Sequence, residues 1–85
     1  MKIFTMDPEE KEERLELQEH FGKHAESIRL KLNLTITEAA FRCNMERSNL
    51  RKIEKGRYNP SLHIITKLSK GYNMSLVQFL KDFKY

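Results

Sequence analysis

Apolar residues recur along most of this chain at steps of three and four. Phe21, Ala25, Ile28 and Leu32 form one such row, and Ile36, Ala39, Ala40 and Cys43 a second. Leu50 and Ile53 make a short third row, Leu62, Ile65, Leu68 and Tyr72 a fourth, and Leu76, Phe79, Leu80 and Phe83 a fifth. Such steps place side chains on one face of an α-helix. No stretch alternates with period two and no hairpin turn pair joins apolar runs, so the pattern predicts no strands. Ahead of the rows, residues 8–20 are mostly Glu, with Leu15 and Leu17 the clear apolar positions. Asp7-Pro8-Glu9-Glu10 opens that segment like a helix start, with a capping Asp, a proline suited to the first helical position and acids at the positive helix end. Gly22 marks either a break or a point through which the helix runs on.

The joints between rows are as informative as the rows. Asn33-Leu34-Thr35, Asn44-Met45-Glu46 and Asn73-Met74-Ser75 share one order: Asn, a bulky apolar residue, then a residue that opens the next helix. Asn tolerates the left-handed conformation that ends helices, and the apolar residue can tuck inward as a staple. Thr35 with Glu38, and Ser75 with Gln78, have capping-box spacing; Glu46 is a poorer cap, although its charge suits a helix start. Gly56 ends another helix and Asn59-Pro60-Ser61 begins the next. The expected core helices are therefore 21–32, 35–43, 46–55, 61–72 and 75–83, preceded by an acidic arm over 1–20 that is partly helical.

Length and charge narrow the class. At 85 residues the chain suits one domain, with residues 21–85 as its body. The net charge of +4 divides unevenly: residues 1–20 carry −4 and residues 21–85 carry +8. A basic body attracts polyanions, although charge alone is equally explained by solubility. The chain has one cysteine, Cys43, and three scattered histidines, so neither an internal disulfide nor metal-ligand spacing is available. No cofactor is implied. Cys43 falls on an inward face and reads as core, and His20, His24 and His63 read as surface residues. No nucleophile–base–orienter set is visible, so the chain does not read as an enzyme. No apolar run reaches membrane-spanning length, and Met1–Met6 lacks a signal-peptide core. The expected location is the cytoplasm.

Residues 35–54 bring two short helices together across the Asn44-Met45 turn, a helix-turn-helix. Ala40 is small where the helices must approach, Met45 fills the corner, and Leu50 and Ile53 face inward. The outward residues of predicted helix 46–55 are Arg47, Ser48, Asn49, Arg51, Lys52 and Lys55, all polar and four of them cationic. A helix docked in the DNA major groove offers its N-terminal residues to base edges, where Arg suits guanine, Asn suits adenine and Ser is adaptable. An ordinary solvated face would mix Glu with Lys; here the acids, Glu46 and Glu54, sit at the two ends.

At this point residues 21–80 resemble the Cro/repressor-type helix-turn-helix family, an all-α, five-helix lambda-repressor-like domain. The resemblance rests on Ile28-Arg29, on Thr35 to Ala40, and most specifically on Ile53-Glu54-Lys55-Gly56 followed by Asn59-Pro60-Ser61. It implies a DNA-binding transcriptional regulator, bacterial or phage-encoded, with double-stranded DNA as partner. By position it assigns base reading to Arg47, Ser48, Asn49 and Lys52, and backbone contact to Arg51, Lys55, Arg57 and Thr35. Tyr58 either bonds a phosphate or packs on the following helix. Arg29 and Glu54 match a structural ion pair, expected to be largely buried. Ile36 stands where the family usually has a DNA-contacting Gln, and Phe41 stands at a solvent-facing position; either the arm or a partner covers them, or they are single exposed apolar residues of the ordinary kind. A homodimer is implied, through helix 75–83, whose Val77, Phe79, Leu80, Phe83 and Tyr85 exceed what one small core needs, or through the N-terminal arm. The alternative is a protein-interaction module such as the antitoxin of a toxin–antitoxin pair, with or without DNA binding.

Overall fold

A computed structural model of the protein describes residues 7–85. Residues 1–6, which hold the start of the expected arm and the stretch read for a signal peptide, lie outside the described residues. The rest forms five helices with no strand among the described residues: α1 (Pro8–Lys31), α2 (Ile36–Arg42), α3 (Arg47–Glu54), α4 (Leu62–Gly71) and α5 (Leu76–Leu80).

The arm and the first core helix are one element. The Asp7 carboxylate accepts the Glu10 amide at 2.8 Å, Pro8 occupies the first turn, and α1 runs 24 residues without interruption. Gly22 is therefore not a break. A Cβ there would lie 2.5 Å from the Ile53 carbonyl oxygen and 2.6 Å from that of Glu54, so the glycine lets α1 pass backbone to backbone against the end of α3. The buried face of α1 is Gln18, Phe21, Gly22, Ala25 and Ile28, a row that begins in the acidic segment.

Four of the helices end by one device. Asn33, Asn44, Gly56 and Asn73 take positive φ of 58°, 53°, 72° and 57°. The amide of the following residue then reaches back: Leu34 to Arg29, Met45 to Ala40, Arg57 to Lys52 and Met74 to Ser69, at 2.8 to 3.2 Å. This satisfies carbonyls that a helix end would otherwise leave free. Leu34, Met45 and Met74 pack against the core, which turns the chain sharply inward at each joint. Both predicted capping boxes form, Thr35 with Glu38 and Ser75 with Gln78.

The core gathers Phe21, Ala25, Leu50, Ile53, Leu68, Tyr72 and Phe79 with the small residues Ala39, Ala40 and Cys43. Burial pushes the Cys43 thiol above its usual pKa. Several expected positions differ. Leu62, in the first turn of α4, lies beyond the edge of the core and is 68% exposed. Leu32 is also exposed, because it caps α1 rather than continuing its buried row. Helix α5 stops at Leu80, since Lys81 is extended and Asp82 takes a φ of 66°. That reversal carries Phe83 back onto α1, 5.9 Å from the Phe21 ring. His24 is not a free surface residue: its Nε2 donates to the Phe79 carbonyl and its ring lies against Phe79 and Phe83.

Candidate nucleic-acid interface

Helix α3 buries Leu50, Ile53 and Glu54 and exposes Arg47, Ser48, Asn49, Arg51 and Lys52. At 100° per residue, Ser48, Arg51 and Lys52 stand opposite the buried row, with Arg47 and Asn49 at its edges. Lys55, the C-cap of α3, and Arg57 and Tyr58, in the loop that follows, are exposed as well. The expected base-reading and backbone residues thus lie on one helix and the loop leaving it. Thr35 sits apart, at the start of α2, where its hydroxyl accepts the Glu38 amide at 3.1 Å. The Glu38 carboxylate accepts the Thr35 amide at 3.0 Å, and that bond holds it below the usual carboxylate range.

Long-range polar contacts set the position of α3. Arg29 grips Glu54 with two parallel bonds, Nε to Oε2 at 2.8 Å and Nη2 to Oε1 at 3.0 Å, and gives Nη1 to the Leu34 carbonyl at 2.8 Å. The side chains are 12% and 4% exposed, so the pair is shielded from water. The hydrogen bond to Glu54 is the main cause that raises the guanidinium above its ordinary value. One cation therefore ties the C-terminal half of α1 to the end of α3 and to the joint before α2. Bidentate Arg–carboxylate geometry adds direction as well as strength.

Sequence reasoning missed a second tie. The buried Gln18 amide donates to the Gly56 carbonyl at 3.1 Å and accepts from Arg14 at 3.2 Å. The signal was present, since residues 18, 21, 22, 25 and 28 share one helical face, but a polar residue in a glutamate-rich segment breaks an apolar pattern. Gly56 itself is pressed against α1: a Cβ there would come within 2.8 Å of the Glu19 Cα. Glu19, Lys23 and Glu26 of α1 share a shallow cleft with Lys55 and Arg57. Charge of both signs therefore borders the basic surface on that side, and its uninterrupted part faces outward from α3.

On the α2 side, Lys67 of α4 donates to the Asn44 carbonyl at 3.0 Å and Arg42 donates to the Gly71 carbonyl at 2.9 Å, fixing the turn between α2 and α3 from behind. Ile36 is partly buried against the core and not an open apolar surface. Phe41 stands 86% exposed. Arg47 reaches across to α2, its Nη1 lying 3.4 Å from the Thr37 hydroxyl. Of the apolar residues expected to form a dimer surface near α5, Phe79 is core, Leu80 and Phe83 pack against it, and Val77 and Tyr85 remain exposed. The Tyr85 hydroxyl bonds the Glu13 carbonyl at 2.7 Å, which lays the tail along α1. Among the described residues there is no cluster of three or more metal-ligating side chains, and no helix long and apolar enough to cross a membrane.

Comparison with known proteins agrees with this architecture. Residues 26–79 match the helix-turn-helix family. A protein of Archaeoglobus fulgidus described as an uncharacterized HTH-type transcriptional regulator is 37% identical over 49 residues, which cover 58% of this chain and 69% of the relative.

Proposed function

The chain belongs to the helix-turn-helix family, and from that premise we propose that it is a sequence-specific, DNA-binding transcriptional regulator that reads the major groove with α3. The observation that carries the proposal is the outer face of α3: Arg47, Ser48, Asn49, Arg51 and Lys52 are all exposed while Leu50, Ile53 and Glu54 anchor the helix from behind. Arg47, Ser48, Asn49 and Lys52 meet base edges. Arg51, Lys55 and Arg57 hold phosphates, with Tyr58 and Thr35 beside them. Base contacts specify, whereas phosphate contacts position and supply the salt-dependent affinity. The match to a relative named as a transcriptional regulator supports the same reading. One domain covers half an operator, so the regulator works as a two-fold dimer on half-sites about 34 Å apart. Its workplace is the cytoplasm, with the DNA, and the chemistry is binding rather than catalysis.

In vitro selection of bound duplexes from a random pool tests this. Selection should return a half-site repeated with two-fold symmetry. On that site Arg47→Ala and Asn49→Ala should abolish most sequence preference while leaving affinity for random DNA nearly intact. Binding to random DNA should fall with salt, with a log–log slope of about −0.9 per phosphate contact. No binding to any duplex at low salt would refute the proposal. Phe41 favours a second reading, in which the fold also holds a protein partner such as a toxin: a phenylalanine 86% exposed offers a large apolar contact. In that reading Phe41→Ser weakens the protein complex and leaves DNA affinity unchanged.

A further inference from the structure

Helix α2 contributes to the recognition surface through one residue that the sequence did not single out. In its first turn the other side chains are committed elsewhere. Thr35 and Glu38 exchange the two bonds of the capping box, and Ile36 packs against the core. The Thr37 hydroxyl makes no bond within its own helix. It accepts from Arg47 Nη1 at 3.4 Å, the sole side-chain hydrogen bond between α2 and α3 among the described residues.

We propose that Thr37 is a positioning residue for Arg47: it holds the guanidinium over the start of α3 before DNA arrives and so fixes which base that arginine reads. The inference rests on the DNA-binding proposal above. An arginine at the first position of a recognition helix has many rotamers, and docking it on a base costs the freedom it gives up. A partner already present in the free protein removes part of that cost. Threonine suits the task because its β-branch leaves χ1 only two main rotamers in a helix, and the one adopted here turns the hydroxyl to Arg47. The guanidinium has five N–H donors. One bond to Thr37 leaves enough for the bidentate grip on guanine O6 and N7. Both groups are exposed, so the bond orients Arg47 more than it stabilises the fold.

The experiment compares Thr37→Val, which keeps shape and removes the hydroxyl, with Thr37→Ser, Arg47→Ala and the double variant Thr37→Val/Arg47→Ala. Each is titrated by fluorescence anisotropy against the selected duplex and a scrambled one. Thr37→Val should lower the preference for the selected duplex about three- to tenfold, the net scale of one ordinary hydrogen bond. Affinity for scrambled DNA should not change, and thermal midpoints should stay together. Thr37→Ser should keep most of the preference. In the Arg47→Ala background, Thr37→Val should cost nothing further. A loss of equal size in that background would mean that Thr37 meets DNA directly, and would overturn the positioning role. A separate readout needs no DNA: the order parameter of the Arg47 side-chain Nε–H should fall in Thr37→Val, and an unchanged value overturns the inference. Wild-type protein that binds neither duplex would instead end the DNA-binding proposal itself.

Discussion

The two helices of the helix-turn-helix are closed by different means. Helix α2 begins with a complete capping box and ends at Asn44, after which Met45 turns into the core. Helix α3 begins at Glu46, whose side chain makes no cap bond, and ends at Gly56, after which Arg57 points to solvent. The backbone device at the two C-termini is the same, with a left-handed residue followed by an amide that bonds back into the last turn. What differs is the side chains. Those in the first turn of α2 serve local order, while Arg42 and Lys67 tie its far end to α4. Those around α3 stay polar and outward, and the order missing there is restored at long range by Arg29 on Glu54 and Gln18 on the Gly56 carbonyl. A surface that must meet another molecule cannot also spend its side chains on its own helix ends, so the scaffold behind it takes over.

The largest break in this comparison is expected at Glu54. Glu54→Lys leaves Arg29 shielded from water and facing a like charge. Breaking one side of a buried pair costs about 3–5 kcal/mol, a large part of what a small domain has. Urea or thermal unfolding should show the loss. A midpoint equal to wild type would mean that α3 does not depend on its long-range tie. A smaller effect should separate the two C-termini. Asn44→Ala places alanine at a φ of 53° and adds no atom beyond the Cβ already there, and a left-handed alanine costs about 1–2 kcal/mol. Gly56→Ala meets a similar strain at 72° and also drives a Cβ to 2.8 Å from the Glu19 Cα. Gly56→Ala should therefore be the more damaging by roughly 1–2 kcal/mol, the scale of local backbone strain. Equal costs would show that α1 yields easily and that the contact between α1 and the loop is loose.

The local half of this picture was legible in the sequence. Asn33, Asn44, Gly56 and Asn73 announce the helix ends, and Thr35–Glu38 and Ser75–Gln78 announce two starts, because caps depend on residues within a few positions of one another. Arg29 and Glu54 came from a family resemblance, not from spacing: 25 residues separate them and no periodicity links the two helices. Gln18, His24 and Thr37 escaped because each is a polar residue whose role depends on a neighbour brought near by folding: the Gly56 carbonyl, the Phe79 carbonyl and Arg47. Leu62 escaped in the opposite sense. It is apolar at a helix start, where one turn decides between core and solvent, and it is exposed. Thus the ends of α2 could be read from its own residues, whereas the placement of α3 required contacts from α1.

The smallest effect sharpens the comparison most directly, because it gives α3 the kind of start that α2 has. Glu46 occupies the N-cap with extended backbone at φ −71° and ψ 143°, and the Asn49 amide reaches only its carbonyl, at 3.1 Å. Glu46→Ser supplies a short hydroxyl able to accept the amide of Ser48 or Asn49. A good N-cap contributes about 1 kcal/mol. Losing the glutamate charge near the positive helix end gives back about 0.3–1 kcal/mol. The net expectation is a gain of a few tenths of a kcal/mol, read as a slightly higher midpoint in thermal unfolding. The effect on DNA should be larger than the effect on stability. Glu46 is exposed and adjoins Arg47, so its removal takes a negative charge from the face proposed to meet phosphates. Affinity for random duplex should rise, and the rise should shrink as salt screens the charge. If Glu46→Ser instead lowers both the midpoint and the affinity, then the start of α3 already has its best residue, and the contrast with α2 lies only at the C-termini.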